Sequence, residues 1–178
     1  TKWNYQIRRA EDIPWAVARA FYIARSGRPG PVVLDFAKNA QTAVIDYQPQ
    51  SIDFIRSYKP VHTPSDETIR KAAEMINESV KPFMLVGQGV ELAGANKELL
   101  ELCEKAQIPF GQTMLGLSAA PSDHPLNMGM LGMHGNLAPN VMTNQCDLLI
   151  AVGMRFDDRV TGNLDTYAKQ AKVIHFDI

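Results

Sequence analysis

The sequence predicts an α/β protein built on a parallel sheet with helices on both faces. Helix patterns and strand patterns alternate from about residue 65 onward, which is the order expected when crossover helices join parallel strands. The strand candidates are short, continuous apolar runs, typical of strands that are buried on both faces. With 178 residues, 46% of them hydrophobic, the chain is long enough for one full core and part of a second domain.

Residues 1–41 predict one helix followed by one strand. Glu11 and Asp12 bring negative charge to the helix start, Pro14 fits the first turn, and Gly27 ends the helix. The run 32–36, Val-Val-Leu-Asp-Phe, predicts a buried strand. One helix and one strand bury too little apolar surface to fold alone, so we expect this segment to belong to a larger α/β domain.

Residues 42–62 predict an ordered linker between two domains. Regular periodicity is lost after about residue 37, and the segment contains no glycine, which argues against a flexible connection. Five of its side chains are expected to pack along a surface: Tyr47, Ile52, Phe54, Ile55 and Tyr58.

Residues 63–178 predict the main domain. Helices are expected over about 65–79, 95–107 and 136–144, and strands over about 82–87, 108–113, 147–153 and 173–178. A strand that reaches the last residue needs further neighbouring structure, because the hydrogen-bonding groups along its edge would otherwise be unpaired. Since the chain also begins with Thr1, we expect it to be a piece of a longer polypeptide.

The composition argues against several classes of protein. A net charge of −1 provides no basic surface for nucleic acid, and no apolar run approaches the roughly 20 residues that span a bilayer. Cys103 and Cys146 are expected inside helices as buried free thiols. Two such thiols fit a reducing compartment and make a disulfide framework improbable.

No set of catalytic or metal-binding residues is recognisable. There is no nucleophile elbow, no P-loop and no cysteine–histidine metal spacing. The four histidines form no ligand motif: His62, His124, His134 and His175. Asp157 and Asp158 are adjacent, and on an extended segment they would point apart instead of forming an acid–base pair. We therefore expect neither a metal site nor a catalytic group.

The clearest functional signal follows the apolar run 148–152. Shortly after Gly153, four charged residues lie within the five positions 155–159: Arg155, Asp157, Asp158 and Arg159. Each of these charges must be solvated or paired at the end of a buried strand. Because ligands of open α/β sheets bind at the carboxyl ends of strands, we interpret the segment as one wall of a site for a large, anionic cofactor.

Two glycine-rich segments are expected at other strand ends. Gly87-Gln88-Gly89 lies between a strand and a helix, and the next glycine is Gly94, so the dinucleotide fingerprint is absent. That absence argues against a nicotinamide dehydrogenase, and a tight turn and a ligand loop fit the segment equally well. The segment 129–136 has three glycines just before a helix, whose free amides would face an anion.

The remaining candidates are ambiguous when taken singly. Six of the eight methionines lie between positions 114 and 154. Two interpretations fit them: side chains that fill the core, which their spacing alone favours, or an apolar surface that contacts a flat ring system of a ligand. The segment 113–116 and Asp177 end strands, where ligand contacts and ordinary surface groups are equally common. Arg28 lies among glycines and prolines that would hold it in place. The residues alone therefore predict a module that binds a large ligand and has no chemistry of its own.

Three strings resemble the large catalytic subunit of acetolactate synthase, a thiamine-diphosphate-dependent enzyme family. They are Ser-Gly-Arg-Pro-Gly-Pro-Val at 26–32, Met-Leu-Gly-Met-His-Gly at 130–135 and Arg-Phe-Asp-Asp-Arg-Val-Thr-Gly at 155–162. The resemblance implies that residues 1–41 end the pyrimidine-binding domain and that residues 63–178 are the central domain. That domain would be a Rossmann-like parallel sheet of six strands that binds FAD, truncated here at its C-terminal end.

The resemblance also implies site residues by position. The implied FAD contacts are Arg28, Gly87, Gln88, Gly89, Thr113, Met114, Leu115, Leu131, Gly132, Met133, His134, Gly153, Met154, Arg155, Asp157, Arg159, Val160, Asp177 and Ile178. The implied substrate channel is formed by Lys38, Met133, His134, Asp158 and Arg159. Gln88 departs from the family, in which glycine is frequent at this position.

The whole enzyme implied by the resemblance would condense two pyruvates, or pyruvate and 2-oxobutanoate, with loss of CO2 in branched-chain amino acid biosynthesis. Thiamine diphosphate and Mg²⁺ would bind residues outside this chain, so the isolated chain is expected to be inactive. FAD would be largely structural. The expected partners are 2-oxo acids, further copies of the same subunit and a small regulatory subunit, and the expected location is the cytoplasm.

Two alternatives remain open. The first is the central domain of another flavin-containing thiamine-diphosphate enzyme, such as pyruvate oxidase or glyoxylate carboligase. The second is a non-catalytic nucleotide-binding or assembly module. A shift of the melting temperature with FAD would argue against a module whose nucleotide site is vestigial.

Overall fold

In the computed structural model of the protein, which describes residues 1–60 and 63–178, the chain divides into two units. The first comprises Thr1–Thr63 together with Ile178, and the second comprises Pro64–Asp177. The last two residues of the predicted linker, including His62, lie outside the described residues.

The first unit contains a two-stranded parallel sheet. Strand β1 (Trp3–Ile7) pairs with β2 (Val32–Phe36), and helix α1 (Ile13–Arg25) connects them after a 3-10 turn at Ala10–Asp12. Helix α2 (Lys38–Thr42) follows β2 directly. The predicted helix and strand are confirmed, whereas β1 and α2 were not predicted. Regular structure therefore ends at residue 42 and not near residue 37.

The core of this unit is small and partly aromatic. Ile7, Ala16 and Ala40 are buried, and Tyr5 and Trp15 pack against them. The Arg19 guanidinium lies over the rings of two tryptophans, 5.4 Å from each centroid: Trp3 and Trp15. The positive charge therefore faces aromatic surface, an arrangement that stabilises a partly desolvated guanidinium.

The segment that follows, residues 43–60, has no helix or strand. Ile55 is buried and forms a single antiparallel bridge with Tyr58, whose ring packs edge-on against Tyr22 at 6.3 Å. Tyr47 and Phe54 are exposed. The expectation that all five apolar side chains of the linker pack along a surface is therefore wrong for these two.

The second unit contains a five-stranded, fully parallel sheet. Its strands are β3 (Pro82–Val86), β4 (Phe110–Gln112), β5 (Asn127–Met130), β6 (Leu148–Val152) and β7 (Lys172–Phe176), in the spatial order β5-β4-β3-β6-β7. Counted from β3, this is the order 3-2-1-4-5 of a Rossmann sheet. The resemblance implied six strands, and the sheet of the described residues has five.

Helices cover both faces of this sheet, as predicted. They are α3 (Asp66–Glu78), α4 (Gly89–Leu92), α5 (Asn96–Ala106), α6 (Leu137–Thr143) and α7 (Asp158–Thr161). Met84 and Val86 of β3 pack toward α3 and α5, while Phe83 and Leu85 pack on the other face with Met142 of α6. Both faces of β3 are buried because successive side chains of a strand point in opposite directions.

The two cysteines are buried free thiols, as expected, but only one lies in a helix. Cys103 belongs to α5, whereas Cys146 lies in the turn after α6, because that helix ends at Thr143. Burial raises the pKa of Cys103 to about 12 and that of Cys146 to about 11. Both thiols therefore stay protonated and unreactive at neutral pH.

Asp147 links the beginnings of two neighbouring strands. Its carboxylate accepts hydrogen bonds from the backbone amides of Val80 (2.7 Å) and Lys81 (2.9 Å), just before β3, while Asp147 itself precedes β6. The bond from Val80, followed by that from Lys81, holds the pKa of this carboxyl below its ordinary value of 3.8.

This lowered pKa predicts a loss of stability in acid. A carboxyl whose pKa is depressed by folding stabilises the native state above the unfolded pKa, and that contribution disappears as the pH falls through the folded pKa. We expect Asp147→Asn to lower the melting temperature at neutral pH and to weaken its fall below about pH 4. Thermal unfolding followed by circular dichroism between about pH 7 and about pH 2.5 measures both effects. As a control, Asp123→Asn, on an exposed turn, should show the same dependence of the melting temperature on pH as the wild type. If Asp147→Asn also shows the wild-type dependence, Asp147 does not contribute to the loss of stability in acid.

Candidate functional site

The candidate site lies at the carboxyl edge of the five-stranded sheet. The chain runs from β3 to β4 on one side and returns to β6 on the other side of β3, so the strand order reverses between β3 and β6. In open α/β sheets a crevice at such a switch point is the usual ligand site. The glycine-rich and charged loops predicted from the sequence all follow strands at this edge.

The loops after β3 and β6 touch through their backbones. The Gly89 amide donates to the Gly153 carbonyl (2.8 Å), and the Gly87 amide donates to Val152 (2.9 Å). A Cβ on Gly87 would lie against the Gly153 carbonyl oxygen and 2.7 Å from Met154 Cα. A Cβ on Gly89 would lie 2.6 Å from Gly153 Cα. Close loop packing therefore requires both glycines, whether or not a ligand also approaches them.

Gln88 introduces no strain between these glycines. It is exposed, and its backbone (φ −61°, ψ −24°) has ordinary right-handed helical geometry as the residue that precedes α4. A side chain at this position therefore points away from the packed loop backbone and leaves the Gly87–Gly153 contact intact.

The loop after β4 is organised by a buried glutamine. Gln112 is 2% exposed, and its side-chain amide nitrogen lies within hydrogen-bond distance of three carbonyls, those of Gly116 (3.0 Å), Leu117 (3.2 Å) and Ala120 (3.3 Å). Its side-chain oxygen accepts from Asn127 (2.8 Å) at the start of β5. This network sets the course of the segment that carries Thr113, Met114 and Leu115.

Asparagine side chains organise the loop after β5. Asn140 accepts from the Gly132 amide and donates to the Gly132 carbonyl, both at 2.9 Å. Asn136 accepts from the Met130 amide at 3.0 Å. Neither residue was predicted, although their spacing of four at the start of the helix after a glycine-rich loop was a readable signal. Gly132 has a φ of +97°, a conformation that L side chains rarely adopt.

The loop after β6 carries the charges predicted to form a site wall. Arg155 pairs with Asp157 (2.6 Å), and the Asp157 carboxylate caps α7 by accepting from the Arg159 amide (3.1 Å). The Arg155 and Arg159 side chains remain 69% and 74% exposed. Their guanidinium groups are thus accessible to an anion in solution.

The expectation that the two aspartates point apart is wrong. The bond from the Arg159 amide, and then a side-chain hydrogen bond with Asp158, lower the pKa of Asp157. Asp157 itself has extended backbone angles (φ −81°, ψ 151°), but Asp158 is the first residue of α7, so the chain turns between them. The two carboxyl groups are therefore brought together.

Seventeen of the implied FAD contacts belong to the second unit and lie in or next to loops at the carboxyl edge: Gly87, Gln88, Gly89, Thr113, Met114, Leu115, Leu131, Gly132, Met133, His134, Gly153, Met154, Arg155, Asp157, Arg159, Val160 and Asp177. The side chains of Leu131 and Met154 are buried in the core, so these two would meet a ligand only through their backbone. Arg28, Lys38 and Ile178 belong to the first unit, and their roles stay predictions.

The methionines divide between the two alternatives. Met128, Met142 and Met154 pack in the core on one face of the sheet. Met114 and Met133 are 63% and 65% exposed at the carboxyl edge, next to Leu115, which is 66% exposed. The first group is core filler. The second group is exposed, and of these residues Met133 lies beside the charged loop, where its amide donates to the Arg159 carbonyl (2.8 Å).

A cleft of about 280 Å³ lies between α6 and the segment of α7. Three of the predicted channel residues line it, Met133, Asp158 and Arg159, together with Asn140 and Tyr167. His134 is exposed nearby on the same loop. The Tyr167 hydroxyl is buried, and this burial raises its pKa to about 12, so the phenol stays neutral.

The loop that carries Arg28 is held within the first unit. The Lys2 ammonium donates to the carbonyls of Ile23 (2.5 Å) and Ser26 (2.6 Å) at the end of α1, and the Tyr58 hydroxyl donates to Ser26 (3.1 Å). Gly27 has a φ of +57°, and a Cβ at this position would lie 3.3 Å from Pro60. Arg28 itself is exposed on this well-anchored loop.

Within residues 1–60 and 63–178, no cluster of three or more histidine, cysteine, aspartate or glutamate side chains has the geometry of a metal site. Over the same ranges, no helix has the length and apolar character needed to cross a bilayer.

A family model described as the central domain of thiamine pyrophosphate enzymes matches residues 69–178, which is more than half of the chain. The chain belongs to the thiamine pyrophosphate enzyme family. Its parallel sheet, its strand order and its glycine-rich strand ends are thus those of a central domain of this family, in agreement with the resemblance drawn from the three strings.

Curated relatives of this thiamine pyrophosphate enzyme chain are acetolactate synthases. The present chain is 46% identical over its whole length to a large subunit assigned in Methanocaldococcus jannaschii and to one from Corynebacterium glutamicum. It covers 31% of the first and 28% of the second. An X-ray structure assigned to a thiamin diphosphate-dependent enzyme of Mycobacterium smegmatis superimposes with a TM-score of 0.74 at 28% identity, over 97% of this chain and 33% of the other. The chain thus spans about a third of the length of these proteins.

Proposed function

We propose that the protein carrying this chain is the large subunit of an acetolactate synthase, which joins two 2-oxo acids with loss of CO2 in branched-chain amino acid biosynthesis. The observation that carries the proposal is the 46% identity to two acetolactate synthase large subunits, which extends over both units of the chain. Thiamine diphosphate with Mg²⁺ would supply the electron sink for decarboxylation. A small regulatory subunit, a homo-oligomer and a cytoplasmic location belong to the same proposal.

We further propose that the carboxyl edge of the second unit binds FAD. Arg155 offers an exposed cation for a diphosphate, and Met114, Leu115 and Met133 offer exposed apolar surface for a ring system. Asp177 follows β7 at the same edge, where a carboxylate can accept from a hydroxyl. The residues present therefore fit a dinucleotide in charge and in polarity.

The cleft beside α7 suits the approach of a 2-oxo acid. Arg159 lines it with an exposed guanidinium, and the neighbouring Asp158 carboxylate lies 3.9 Å from Arg159 Nε. A guanidinium binds a carboxylate through two parallel hydrogen bonds, which fixes the orientation of the acid. In this proposal Arg159 orients the substrate, Met133 excludes water from one side, and neither residue exchanges a proton.

Product analysis tests the activity. With pyruvate, thiamine diphosphate and Mg²⁺, the full protein should form acetolactate, and added 2-oxobutanoate should give the mixed product. The 178-residue chain alone should form neither. Oxygen consumption with pyruvate would contradict the proposal and indicate a pyruvate oxidase. Carboligation restricted to glyoxylate would contradict it and indicate a glyoxylate carboligase.

A titration with FAD tests the cofactor separately. The full protein should quench flavin fluorescence and gain melting temperature as FAD is added, because a ligand that binds only the native state stabilises it. Arg155→Met should weaken this binding by roughly ten- to a hundredfold, since a charge-assisted hydrogen bond contributes roughly 1.5–3 kcal/mol. Lys172→Met, at the opposite end of β7, should bind FAD like the wild type. Absence of any shift would favour a non-catalytic module.

A further inference from the structure

We propose that His175 is a positioning residue that joins the arginine-bearing loop after β6 to Asp177 at the end of β7. The inference rests on the proposed FAD site, because it concerns how two sides of that site are held at a fixed distance. His175 lies in β7, next to β6 and one residue before the strand ends. No part of the sequence pattern distinguished it from the other histidines.

Two contacts of the His175 ring carry the proposal. Its Nε2 atom lies 2.8 Å from the carbonyl oxygen of Met154, the residue just before Arg155. The same nitrogen lies 3.5 Å from Oδ2 of Asp177. One ring nitrogen thus reaches the backbone of one loop and the carboxylate of another.

The chemistry of these partners fixes the tautomer. A backbone carbonyl only accepts hydrogen bonds, so Nε2 must carry the hydrogen and donate it to Met154. The Asp177 carboxylate is also an acceptor, and it gains electrostatically from the same N–H. The arrangement therefore needs a donor at the Nε2 position but does not need a positive charge on the ring.

Aromatic packing and one backbone bond complete the attachment of the loop. The Phe156 ring meets the His175 ring edge-on at 5.3 Å and the Tyr167 ring at 6.4 Å. The Gly153 amide donates to the Phe176 carbonyl at 2.8 Å. The loop is thus held to β7 at two neighbouring residues: by its backbone amide at Gly153 and by the bond from His175 to the Met154 carbonyl.

Burial of the histidine does not account for these contacts. Its side chain is 39% exposed, and the residue of β7 that enters the core is the preceding Ile174. A half-exposed side chain that contributes little core packing, yet donates to the loop beside Arg155, is better placed to set geometry than to stabilise the fold. Removing the donor leaves the Met154 carbonyl, and with it the start of the segment that carries Arg155, without this bond to β7.

Two substitutions distinguish the effect of the hydrogen-bond donor from the effect of the imidazole ring. In His175→Gln, an amide nitrogen can occupy nearly the position of Nε2, whereas His175→Met keeps the length of the side chain without a donor. We expect the dissociation constant for FAD, measured by flavin fluorescence on the full protein, to rise about tenfold in His175→Met and less than threefold in His175→Gln. The melting temperatures of both variants without FAD should be nearly equal.

His124→Met is the matched control. His124 lies before β5, at the amino edge of the sheet, where it pairs with Glu104 (3.2 Å) and accepts from the Leu126 amide. Its replacement should lower the melting temperature and leave the affinity for FAD unchanged. This outcome would show that a loss of stability in the same unit does not by itself weaken FAD binding.

The outcomes distinguish this inference from the function on which it rests. If wild-type protein binds no FAD, the proposed cofactor site is wrong and the inference falls with it. If wild-type protein binds FAD and His175→Met binds it equally well, only the inference is overturned. Equal losses of affinity in the Gln and Met variants, accompanied by equal losses of melting temperature, would also overturn it, because they would assign His175 a purely structural role.

Discussion

Replacing Gly87 with alanine is expected to lower the free energy of unfolding of the second unit by about 3 kcal/mol. The added methyl group would enter space already filled by the Gly153 carbonyl oxygen and by Met154. These are backbone and buried atoms, so neither loop can yield without moving a strand end. Urea unfolding followed by circular dichroism measures the loss.

Gly94→Ala is the matched control for this substitution. Gly94 has a φ of +67°, but a Cβ there would meet no atom within 4 Å. The cost should be that of the left-handed backbone alone, about 1 kcal/mol. Equal losses in the two variants would contradict the claim that contact between the loops after β3 and β6 determines the need for Gly87.

The steric conflict at residue 87 should also weaken ligand binding at the proposed FAD site. To accept a methyl group at residue 87, the loop after β6 must shift, and Arg155 shifts with it. We therefore expect Gly87→Ala to weaken FAD binding by more than Gly94→Ala does, even at a temperature where both variants are folded.

Replacing Gln112 with methionine is expected to cost about 3 kcal/mol of unfolding free energy. The variant fills the same space but leaves three carbonyl groups without the donor they share, and it removes one of the two acceptors of the Asn127 side-chain amide. Buried polar groups that lose their partners carry the full penalty of desolvation. Chemical denaturation of the variant and the wild type gives the difference.

Gln41→Met provides the comparison for Gln112→Met. Gln41 also donates to a carbonyl, that of Phe36 (2.8 Å), but both groups are exposed to solvent, which can replace the bond. Its loss should stay below about 0.5 kcal/mol. If Gln112→Met is as mild as this control, the glutamine does not organise the loop that carries Met114 and Leu115.

Much of the second unit was predictable because its elements obey local rules. Helix α3 begins after Ser65, whose hydroxyl accepts from the Thr68 amide, and β6 is an uninterrupted apolar run. Strand β5 was missed because Asn-Met-Gly-Met contains neither a β-branched nor an aromatic residue. It is a strand only because β4 lies beside it and supplies its hydrogen-bond partners.

The sequence indicated where the candidate site lies, but it did not predict which side chains contact one another there. Glycines and charges at strand ends indicated one edge of the sheet, since parallel strands all end on the same side. The pairing of Asp157 with Arg155, and its approach to Asp158, depended on a turn into α7 that adjacent charges do not signal. Gln112, Asn140 and His175 were overlooked because a polar residue looks the same in sequence whether it is buried or solvated.

The order of residues was sufficient to predict the class of fold and the family, and it indicated the sheet edge of the candidate site, because periodicity, strand-end glycines and characteristic strings are local features. Three-dimensional packing was needed to explain why Gly87 and Gly89 are glycines, and which side chain orders each loop. Steric exclusion and hydrogen bonding act between atoms that are close in space, such as Gly87 and Gly153, however many residues separate them along the chain.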